Sequence, residues 1–167
     1  MIREGDDVAI LAFGRMVSRA KEAAALLAVR GIDARVVDMR WVKPLDVDEI
    51  ARAAQTKLVV TVEGGIISGG VGEGVLNELA RQGAAVPELT LGIPDTFVPQ
   101  GSSNQLLHDL GLDAEGIADA VNSDLAEAVL DLPAPPAPRE MLFTFSRMLS
   151  GVRRAILPKL DLFVAQS

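Results

Sequence analysis

The amino-acid sequence predicts a three-layer α/β/α domain, in which helices cover both faces of a mostly parallel sheet of four or five strands. The first observation is that short apolar runs alternate with longer stretches whose apolar residues recur at helical spacing. The second is that glycine or proline separates these stretches, as expected where a chain turns between elements. Strands that alternate with helices favour a parallel sheet because the helices form the crossovers between strands.

The first third of the chain predicts two strands and two helices. Val8–Phe13 is a short apolar run closed by a glycine, which is typical of a buried strand. The apolar spacing of Met16–Val29 predicts a helix that stops just before the next glycine. Ala34–Met39 predicts the second strand. Residues 45–55 predict a second helix, with Asp46 or a neighbouring residue as its cap and carboxylates in its first turn, where the helix dipole favours them.

The middle of the chain continues the alternation. Lys57–Val62 predicts a third strand that enters a glycine-rich turn, and Glu73–Arg81 a third helix ended by a glycine. Pro87–Ile93 predicts a fourth strand. Asn104–Leu110 and Ala114–Asn122 predict two further helices separated by a short turn.

The composition excludes several classes of protein and site. No cysteine is present, which rules out disulfides, thiolate metal sites and cysteine nucleophiles. The first residues lack the basic start and apolar stretch of a signal peptide, and no run approaches the roughly 18 to 20 apolar residues of a membrane span. We therefore expect a cytoplasmic protein.

Charge is unevenly distributed along the 167 residues. Up to Leu132 the chain has 11 Lys and Arg against 21 Asp and Glu, whereas beyond it five basic residues accompany two acidic ones. The acidic body disfavours nucleic acid as a partner. The change falls at residues 132–140, whose four prolines predict a stiff linker. We therefore predict an α/β domain at residues 1–131 and a separate tail at residues 141–167.

The tail has the pattern of a basic amphipathic helix. Arginines lie mostly opposite an apolar face. That face comprises Met141, Phe145, Met148, Leu149, Val152, Ala155 and Ile156. Such helices bind membrane surfaces or acidic partners. We favour docking of the apolar face on the chain's own body or on a second copy, and we expect a homodimer because two-fold pairing uses one patch twice.

The stretch VTVEGGIISGGVGEG at residues 60–74 contains six glycines. Glycine-rich turns between a strand and a helix often bind phosphate. The dinucleotide fingerprint fails here because Val75 stands where its last glycine belongs. A P-loop fails because no lysine lies between Lys57 and Lys159. We favour the alternative, in which the glycines allow a tight loop and a close approach of helix to strand.

No catalytic or metal-binding constellation emerges from the residues. His108 is the only histidine, and we interpret it as a surface or half-buried helix residue because no second ligand or base accompanies it. Ser68, Ser102 and Ser103 lack a nucleophile elbow and are interpreted as turn and cap residues.

Five longer motifs together carry a family resemblance. They are, in order, REGDDVAILAFGRMV, VVDMRWVKPLD, VVTVEGGIISGGVGEGV, LGIPDTFVPQGS and LHDLGLDAEGIA. In order and spacing they resemble the C-terminal domain of 1-deoxy-D-xylulose-5-phosphate synthases over about residues 3–122. Transketolases and the β subunits of 2-oxoacid dehydrogenases share the more general motifs. The segments LGIPDTFVPQGS and LGLDAEGI are the ones associated with the xylulose phosphate synthases.

The resemblance implies a transketolase C-terminal-like fold and a transferase. That enzyme decarboxylates pyruvate and joins the two-carbon remainder to glyceraldehyde 3-phosphate for isoprenoid precursor synthesis, using thiamine diphosphate and a divalent metal such as Mg. The family's G-D-G and asparagine motif for the diphosphate and metal is absent here, as are the histidines and glutamate that activate the cofactor. No catalytic, cofactor-binding or metal-binding residue is carried over, and we expect the chain alone to be inactive.

Four residues are candidates for organising loops or a domain interface. Arg40, after the second strand, is predicted to pair with a carboxylate such as Asp46, or alternatively to face a neighbouring domain. Glu63 is expected to cap a helix or accept hydrogen bonds from loop amides. Asp95 and Gln100 lie where an α/β sheet tends to place functional loops, and turn or cap roles are expected for them. Many relatives have histidine at the position of Gln100.

Two classes of function remain open from the sequence. The first is a domain of a thiamine-dependent transferase, serving assembly with the cofactor-binding domains of a transketolase-like enzyme. The second is a non-catalytic binding or regulatory module that retains the fold, or the equivalent domain of a transketolase or a 2-oxoacid dehydrogenase β subunit. The absent cofactor motifs and the basic tail favour the second class, and the synthase-type motifs favour the first.

Overall fold

The computed structural model describes the backbone of residues 1–130 and the side chains through Ala128. The elements are β1 (Val8–Ala12), α1 (Met16–Val29), β2 (Ala34–Asp38), α2 (Val47–Ala53), β3 (Leu58–Ile66), α3 (Val71–Arg81), β4 (Glu88–Ile93), α4 (Ser103–Asp109) and α5 (Ala114–Leu130). The linker predicted at residues 132–140 and the helix predicted at residues 141–167 lie outside the described residues.

The four strands form one parallel sheet in the order β2-β1-β3-β4. Val8 of β1 pairs with Ala34 of β2 on one side and with Leu58 of β3 on the other, and the register continues without a shift along β1. Helices cover both faces. The predicted three-layer architecture with a mostly parallel sheet is therefore confirmed.

The core consists of two apolar layers, one on each face of the sheet. Alternate residues of β1 point to opposite faces, as the strand geometry requires. Val8, Ile10 and Ala12 pack in the layer of α1 and α5, whereas Ala9 and Leu11 pack in the layer of α2 and α3. All five side chains are fully buried, which explains why β1 appears in the sequence as a continuous apolar run.

Three elements extend by two or more residues beyond their predicted bounds, and α2 is shorter than predicted. β3 extends through two glycines to Ile66, which pairs with Ile93 of β4 after an irregularity in register. α3 begins two residues earlier than predicted, at Val71. α5 continues beyond its predicted end to Leu130. The helices of residues 1–130 include none that is long and apolar enough to cross a membrane.

At the amino edge of the sheet, the residues that precede the strands bond to one another. Asp7 accepts hydrogen bonds from Lys57 Nζ at 2.7 Å and from the backbone N–H of Asp33 at 2.9 Å. The hydrogen bond from Lys57, followed by that from Asp33, holds the pKa of Asp7 below its ordinary value. Arg3 forms an antiparallel bridge with Val36 on the outer side of β2, and its guanidinium lies 3.2 Å from Asp33 Oδ1.

Candidate interaction site at the carboxyl edge of the sheet

The topology places a crevice at the carboxyl ends of β1 and β3. These strands are neighbours, but α1, which follows β1, packs on one face and α3, which follows β3, packs on the other. Open α/β sheets place ligands and functional loops at such a reversal. We define the carboxyl edge as residues 13–15, 39–46, 64–70 and 94–102, and it is the candidate site.

Glu63 organises the glycine-rich turn. Its side chain is 5% exposed, and its Oε1 accepts a hydrogen bond from the backbone N–H of Gly72 at 3.0 Å. Gly72 is the second residue of α3, so the carboxylate provides a negative charge at the positive end of that helix. This contact with the first turn of α3 corresponds to the helix-capping alternative expected for Glu63, because Gly72 is a helix residue and not a loop residue. A Cβ at Gly70 would collide with Glu63 Oε1 and with the carbonyl of Ile66, which is why this position requires glycine.

The same turn brings α3 very close to the sheet. A Cβ at Gly72 would lie 2.5 Å from Thr90 Cγ2 and 2.8 Å from Thr61 Oγ1, so only glycine fits there without a shift. Thr90 in turn donates to Glu88 at 3.0 Å. Burial raises the pKa of Glu88, although the hydrogen bonds from Thr90 and Thr61 oppose that effect. The glycines therefore serve the close packing of helix on strand that the sequence favoured.

Arg40 pairs with a carboxylate, as predicted, but the partner is Asp38 and not Asp46. Its Nε lies 3.5 Å from Asp38 Oδ2, and its backbone N–H donates to Asp38 Oδ1 at 3.2 Å. Asp46 instead caps α2, as predicted, by accepting from the backbone N–H of Glu49 at 3.1 Å. Its carboxylate is therefore engaged in the helix cap. Arg40 has a positive φ of 52°, which is uncommon outside glycine, and the two contacts with Asp38 support that conformation.

Asp95 and Gln100 lie in the loop after β4, as the sequence predicts. The residue that caps α4 is neither of them. Ser102 accepts a hydrogen bond from the backbone N–H of Gln105 at 3.3 Å, which confirms the cap role expected for this serine. The turn role expected for Asp95 and Gln100 stays a prediction. Hydroxyl groups are good caps because they accept the otherwise unpaired amides of the first turn.

Four large apolar side chains are exposed along the carboxyl edge, and we call them the apolar rim. They are Trp41, Val42, Ile66 and Phe97. Phe97 is 98% exposed and Trp41 is 69% exposed. Clustered exposure of large apolar side chains on a folded domain marks a surface that is covered by a partner or ligand.

Two grooves share Ile66. The first groove, of about 830 Å³, lies between the loop that follows β4 and helix α4, and it includes Phe97. The second groove, of about 750 Å³, lies between the loop that follows β2 and the glycine-rich turn, and it includes Val42 and Glu63. Three of the four rim residues, Val42, Ile66 and Phe97, therefore border concave surfaces, which are the shape that binding sites take.

Arg15 is a site residue that sequence reasoning missed. It follows β1 and lines the first groove, and its Nη1 donates to Ser103 Oγ at 3.4 Å. The signal that would have found Arg15 is its position in the turn that follows a predicted buried strand and its closing glycine. Such a position lies at the carboxyl edge of a parallel sheet, where polar side chains meet ligands.

His108 lies on the exposed side of α4, as the sequence predicts. Its Nδ1 lies 2.7 Å from Asp113 Oδ2, and this hydrogen bond raises the pKa of His108. Among residues 1–130, no group of three His, Asp or Glu side chains is arranged to hold a metal ion. His108 therefore belongs to a local ion pair between α4 and the start of α5.

Comparison with known proteins identifies relatives of the folded part of the chain. The family model described as "Transketolase, C-terminal domain" matches residues 1–117. The 1-deoxy-D-xylulose-5-phosphate synthase of Shewanella baltica is 47% identical over 126 residues, which is 75% of this chain and 20% of the relative. The 1-deoxy-D-xylulose-5-phosphate synthase 1 of Geobacter sulfurreducens is 48% identical over 136 residues, which is 80% of this chain and 21% of the relative.

A solved structure described as "Split gene transketolase, inactive beta4 tetramer" superposes with a TM-score of 0.69 and 38% sequence identity. The match covers 74% of this chain and 41% of that one. The chain spans about a fifth of the length of the curated relatives it matches. These matches therefore concern one domain of larger proteins.

Proposed function

The chain belongs to the transketolase C-terminal domain family, and we propose on that premise that it is the assembly domain of a 1-deoxy-D-xylulose-5-phosphate synthase. In this proposal the complete enzyme is a transferase that decarboxylates pyruvate and joins the remainder to glyceraldehyde 3-phosphate. Thiamine diphosphate and Mg are bound by its other domains. This chain provides a surface on which those domains pack.

The observation that carries the proposal is the apolar rim at the carboxyl edge. Exposure of Phe97 and Trp41 to water does not stabilise the folded domain. Aromatic side chains are the usual anchors of protein interfaces because they bury a large area with few rotatable bonds. Relatives that are 47–48% identical are about five times longer than the matched region, so the corresponding domain is accompanied there by others.

The glycine-rich turn does not fit the cofactor. A diphosphate at the N-terminus of α3 would meet the carboxylate of Glu63, which already accepts the N–H of Gly72. Two negative charges at one helix end repel each other. We therefore assign no cofactor contact to this loop and derive no catalytic step from it, and we propose that the chain alone is inactive.

Reconstitution tests the proposal. The chain is mixed with a polypeptide that carries the remaining domains of the Shewanella baltica synthase, and two quantities are measured. Sedimentation velocity reports complex formation, and release of carbon dioxide from pyruvate in the presence of glyceraldehyde 3-phosphate reports activity. We expect a complex and activity from the mixture.

Variants then locate the surface. Trp41→Ser and Phe97→Ser are each expected to weaken the complex by at least about tenfold, because aromatic anchors are common hot spots. Val29→Ser is the matched control, since Val29 is 88% exposed at the end of α1 and outside the carboxyl edge. Absence of a complex, or equal loss in the control, would contradict the proposal. A complex without activity would favour a non-catalytic binding module.

Self-association is the second part of the proposal. A rim left uncovered by sister domains is most simply buried in a two-fold homodimer, because one patch is then used twice. The solved relative described as a β4 tetramer supports the capacity of related chains to self-associate. Light scattering of the chain at tens of micromolar is expected to give the mass of a dimer, and Phe97→Ser to shift it toward the monomer. A monomeric parent chain would contradict this part.

A further inference from the structure

Arg15 differs from every other arginine in the described part of the chain. The other seven arginines of residues 1–130 each lie within 4.0 Å of a carboxylate oxygen, whereas Arg15 has no such partner there. The body has an excess of carboxylates, so pairing is the expected state of an arginine. An exposed guanidinium that the fold leaves unpaired is available for an anion from outside the domain.

The position of Arg15 is fixed by its surroundings. Its guanidinium extends from the turn after β1 across Gly64, where an added Cβ would lie only 3.2 Å from Nε. A glycine at this point leaves space for the guanidinium between β3 and the start of α4. Of its five N–H donors, one has a partner within the described residues, the 3.4 Å contact with Ser103 Oγ. Arg15 lines the first groove.

Among residues 1–130, the lining of the first groove has one charge, the positive charge of Arg15. Polar side chains are contributed by Thr96, Gln100 and Ser103, and the walls are otherwise mostly apolar, among them Ile93, Phe97 and Leu106. No carboxylate of the described residues lines it. The second groove, by contrast, contains Glu63 and Glu78 together with Lys43. The first groove therefore combines an oxyanion-binding head with apolar walls, and about 830 Å³ is a volume suited to a small molecule.

We propose that the first groove binds a small organic oxyanion, a carboxylate or a phosphate monoester carried on a short apolar body. Arg15 binds the charged head, Ser103 and Gln100 donate further hydrogen bonds, and the apolar body lies against Ile93, Phe97 and Leu106. This site lies at the strand reversal where open α/β sheets bind ligands. It overlaps the assembly surface at Phe97, but the chain alone contains all of these groups.

The probes are hexyl phosphate, hexanoate, hexylamine and inorganic phosphate. Each is titrated into the full chain in the absence of any partner, and backbone amide shifts are followed by NMR. We expect both hexyl oxyanions to bind with shifts confined to Gly64, residues 94–106 and the turn after β1, and hexylamine not to bind there. Tighter binding of hexyl phosphate would identify a phosphate ligand, and tighter binding of hexanoate a carboxylate ligand. Inorganic phosphate is expected to bind more weakly than hexyl phosphate because it lacks the apolar body.

Two variants and one control test the assignment. Arg15→Gln is expected to weaken binding of the oxyanions at least about tenfold, since it removes a charge-assisted hydrogen bond. Phe97→Ala is expected to weaken the hexyl compounds and to leave inorganic phosphate unchanged. Arg30→Gln is the control, because Arg30 lies at the other end of α1 and pairs with Asp119. Equal binding of hexylamine, or unchanged affinity in Arg15→Gln, would overturn the proposal.

Failure here is distinguishable from failure of the assembly role. Loss of oxyanion binding with an intact complex in the reconstitution removes only the ligand site. Absence of a complex with intact oxyanion binding removes only the docking function. Absence of shifts with every probe in the parent chain would overturn the ligand site outright.

Discussion

The two edges of the same parallel sheet have opposite surface chemistry. At the amino edge, Asp7, Asp33 and Lys57 bond to one another, and Arg3 adds a further ion pair. At the carboxyl edge, Phe97 and the other rim side chains are exposed, and Arg15 has no carboxylate partner among residues 1–130.

The difference shows at which edge the charged groups are paired within the domain. Both edges consist of loops between strands and helices, so exposure of loops alone does not explain the contrast. At the amino edge, the charges of Asp7, Asp33, Lys57 and Arg3 are paired with one another. The carboxyl edge is rigidly built by Glu63 and Gly72, yet it presents apolar and cationic groups to the outside. A docking or binding surface requires an ordered edge that exposes apolar and charged groups without partners of their own.

The largest expected effect tests whether the carboxyl edge is rigid beneath its exposed side chains. Gly72→Ala is expected to lower the free energy of unfolding by about 1–3 kcal/mol, because the new methyl group would overlap Thr90 and Thr61. Gly74→Ala in the same helix is the control. Its Cβ would meet only the end of Leu45 at 3.4 Å, and the gain in helix propensity should stabilise the domain by about 0.5–1 kcal/mol. Urea unfolding measures both, and equal effects would contradict close packing at Gly72.

The second prediction tests whether the amino edge is completed by charge. Asp7→Asn is expected to destabilise the domain by about 0.5–1 kcal/mol at neutral pH, a small value because the pair with Lys57 is partly exposed. The folded-state pKa of Asp7 is lowered, so its contribution is present above the unfolded value of about 3.9 and is lost as pH falls through the folded value.

Urea unfolding between pH 7 and pH 3 checks this dependence. The difference between the parent chain and Asp7→Asn should decrease toward the acid end. Asp6→Asn is the control because Asp6 is an exposed neighbour without an ion pair among residues 1–130. A difference that does not change with pH would show that the charge of Asp7 is not the cause.

The third prediction tests whether the apolar rim is exposed to solvent and not packed against the rest of the domain. Phe97→Ser is expected to change the free energy of unfolding of the chain alone by less than about 0.5 kcal/mol, because the ring is 98% exposed. The same substitution should strongly affect association. A loss of stability that exceeds 1 kcal/mol would mean that the ring packs within the chain, and the contrast between the edges would then weaken.

The smallest effect concerns the ion pair between α4 and α5. The hydrogen bond that His108 donates to Asp113 raises the pKa of His108, so this pair contributes stability below the unfolded pKa of about 6.5 and loses it as pH rises through the folded value. Asp113→Asn should return the pKa of His108 toward its ordinary value, and asparagine can still accept the N–H of Gly116. NMR titration of the only histidine measures this directly. Asp109→Asn is the control, and an equal shift there would contradict the assignment.

The sequence predicted the elements whose signals are local. The bounds of α1 match the predicted Met16–Val29, because a helical apolar pattern and a following glycine define both ends. The cap of α2 at Asp46 was predicted for the same reason. The extension of β3 to Ile66 was missed, because it depends on pairing with Ile93 across the sheet and not on the residues of β3 themselves.

The candidate site was only partly predictable. Glu63 was placed correctly because it follows a buried apolar run and precedes glycines. The predicted partner of Arg40 was wrong, because Asp46 is engaged in a helix cap and Arg40 pairs with Asp38. Sequence spacing does not reveal this choice. Arg15 was missed because two properties of the assembled fold make it a candidate. No carboxylate of residues 1–130 pairs with it, and Gly64, 49 positions along the chain, leaves space for its guanidinium.

The bridge between Arg3 and Val36 protects the outer strand β2 from pairing with strands of other molecules. β2 is an outer strand, and an uncovered outer strand offers a row of N–H and C=O groups to strands of other molecules. The backbone N–H of Ile2 donates to the carbonyl of Val36 at 2.8 Å, and the N–H of Val36 donates to the carbonyl of Arg3 at 2.9 Å, so part of this row is already bonded. Trimming the first four residues would uncover it. A shortened form should then aggregate by lateral strand addition at β2, even with its core and its binding grooves intact.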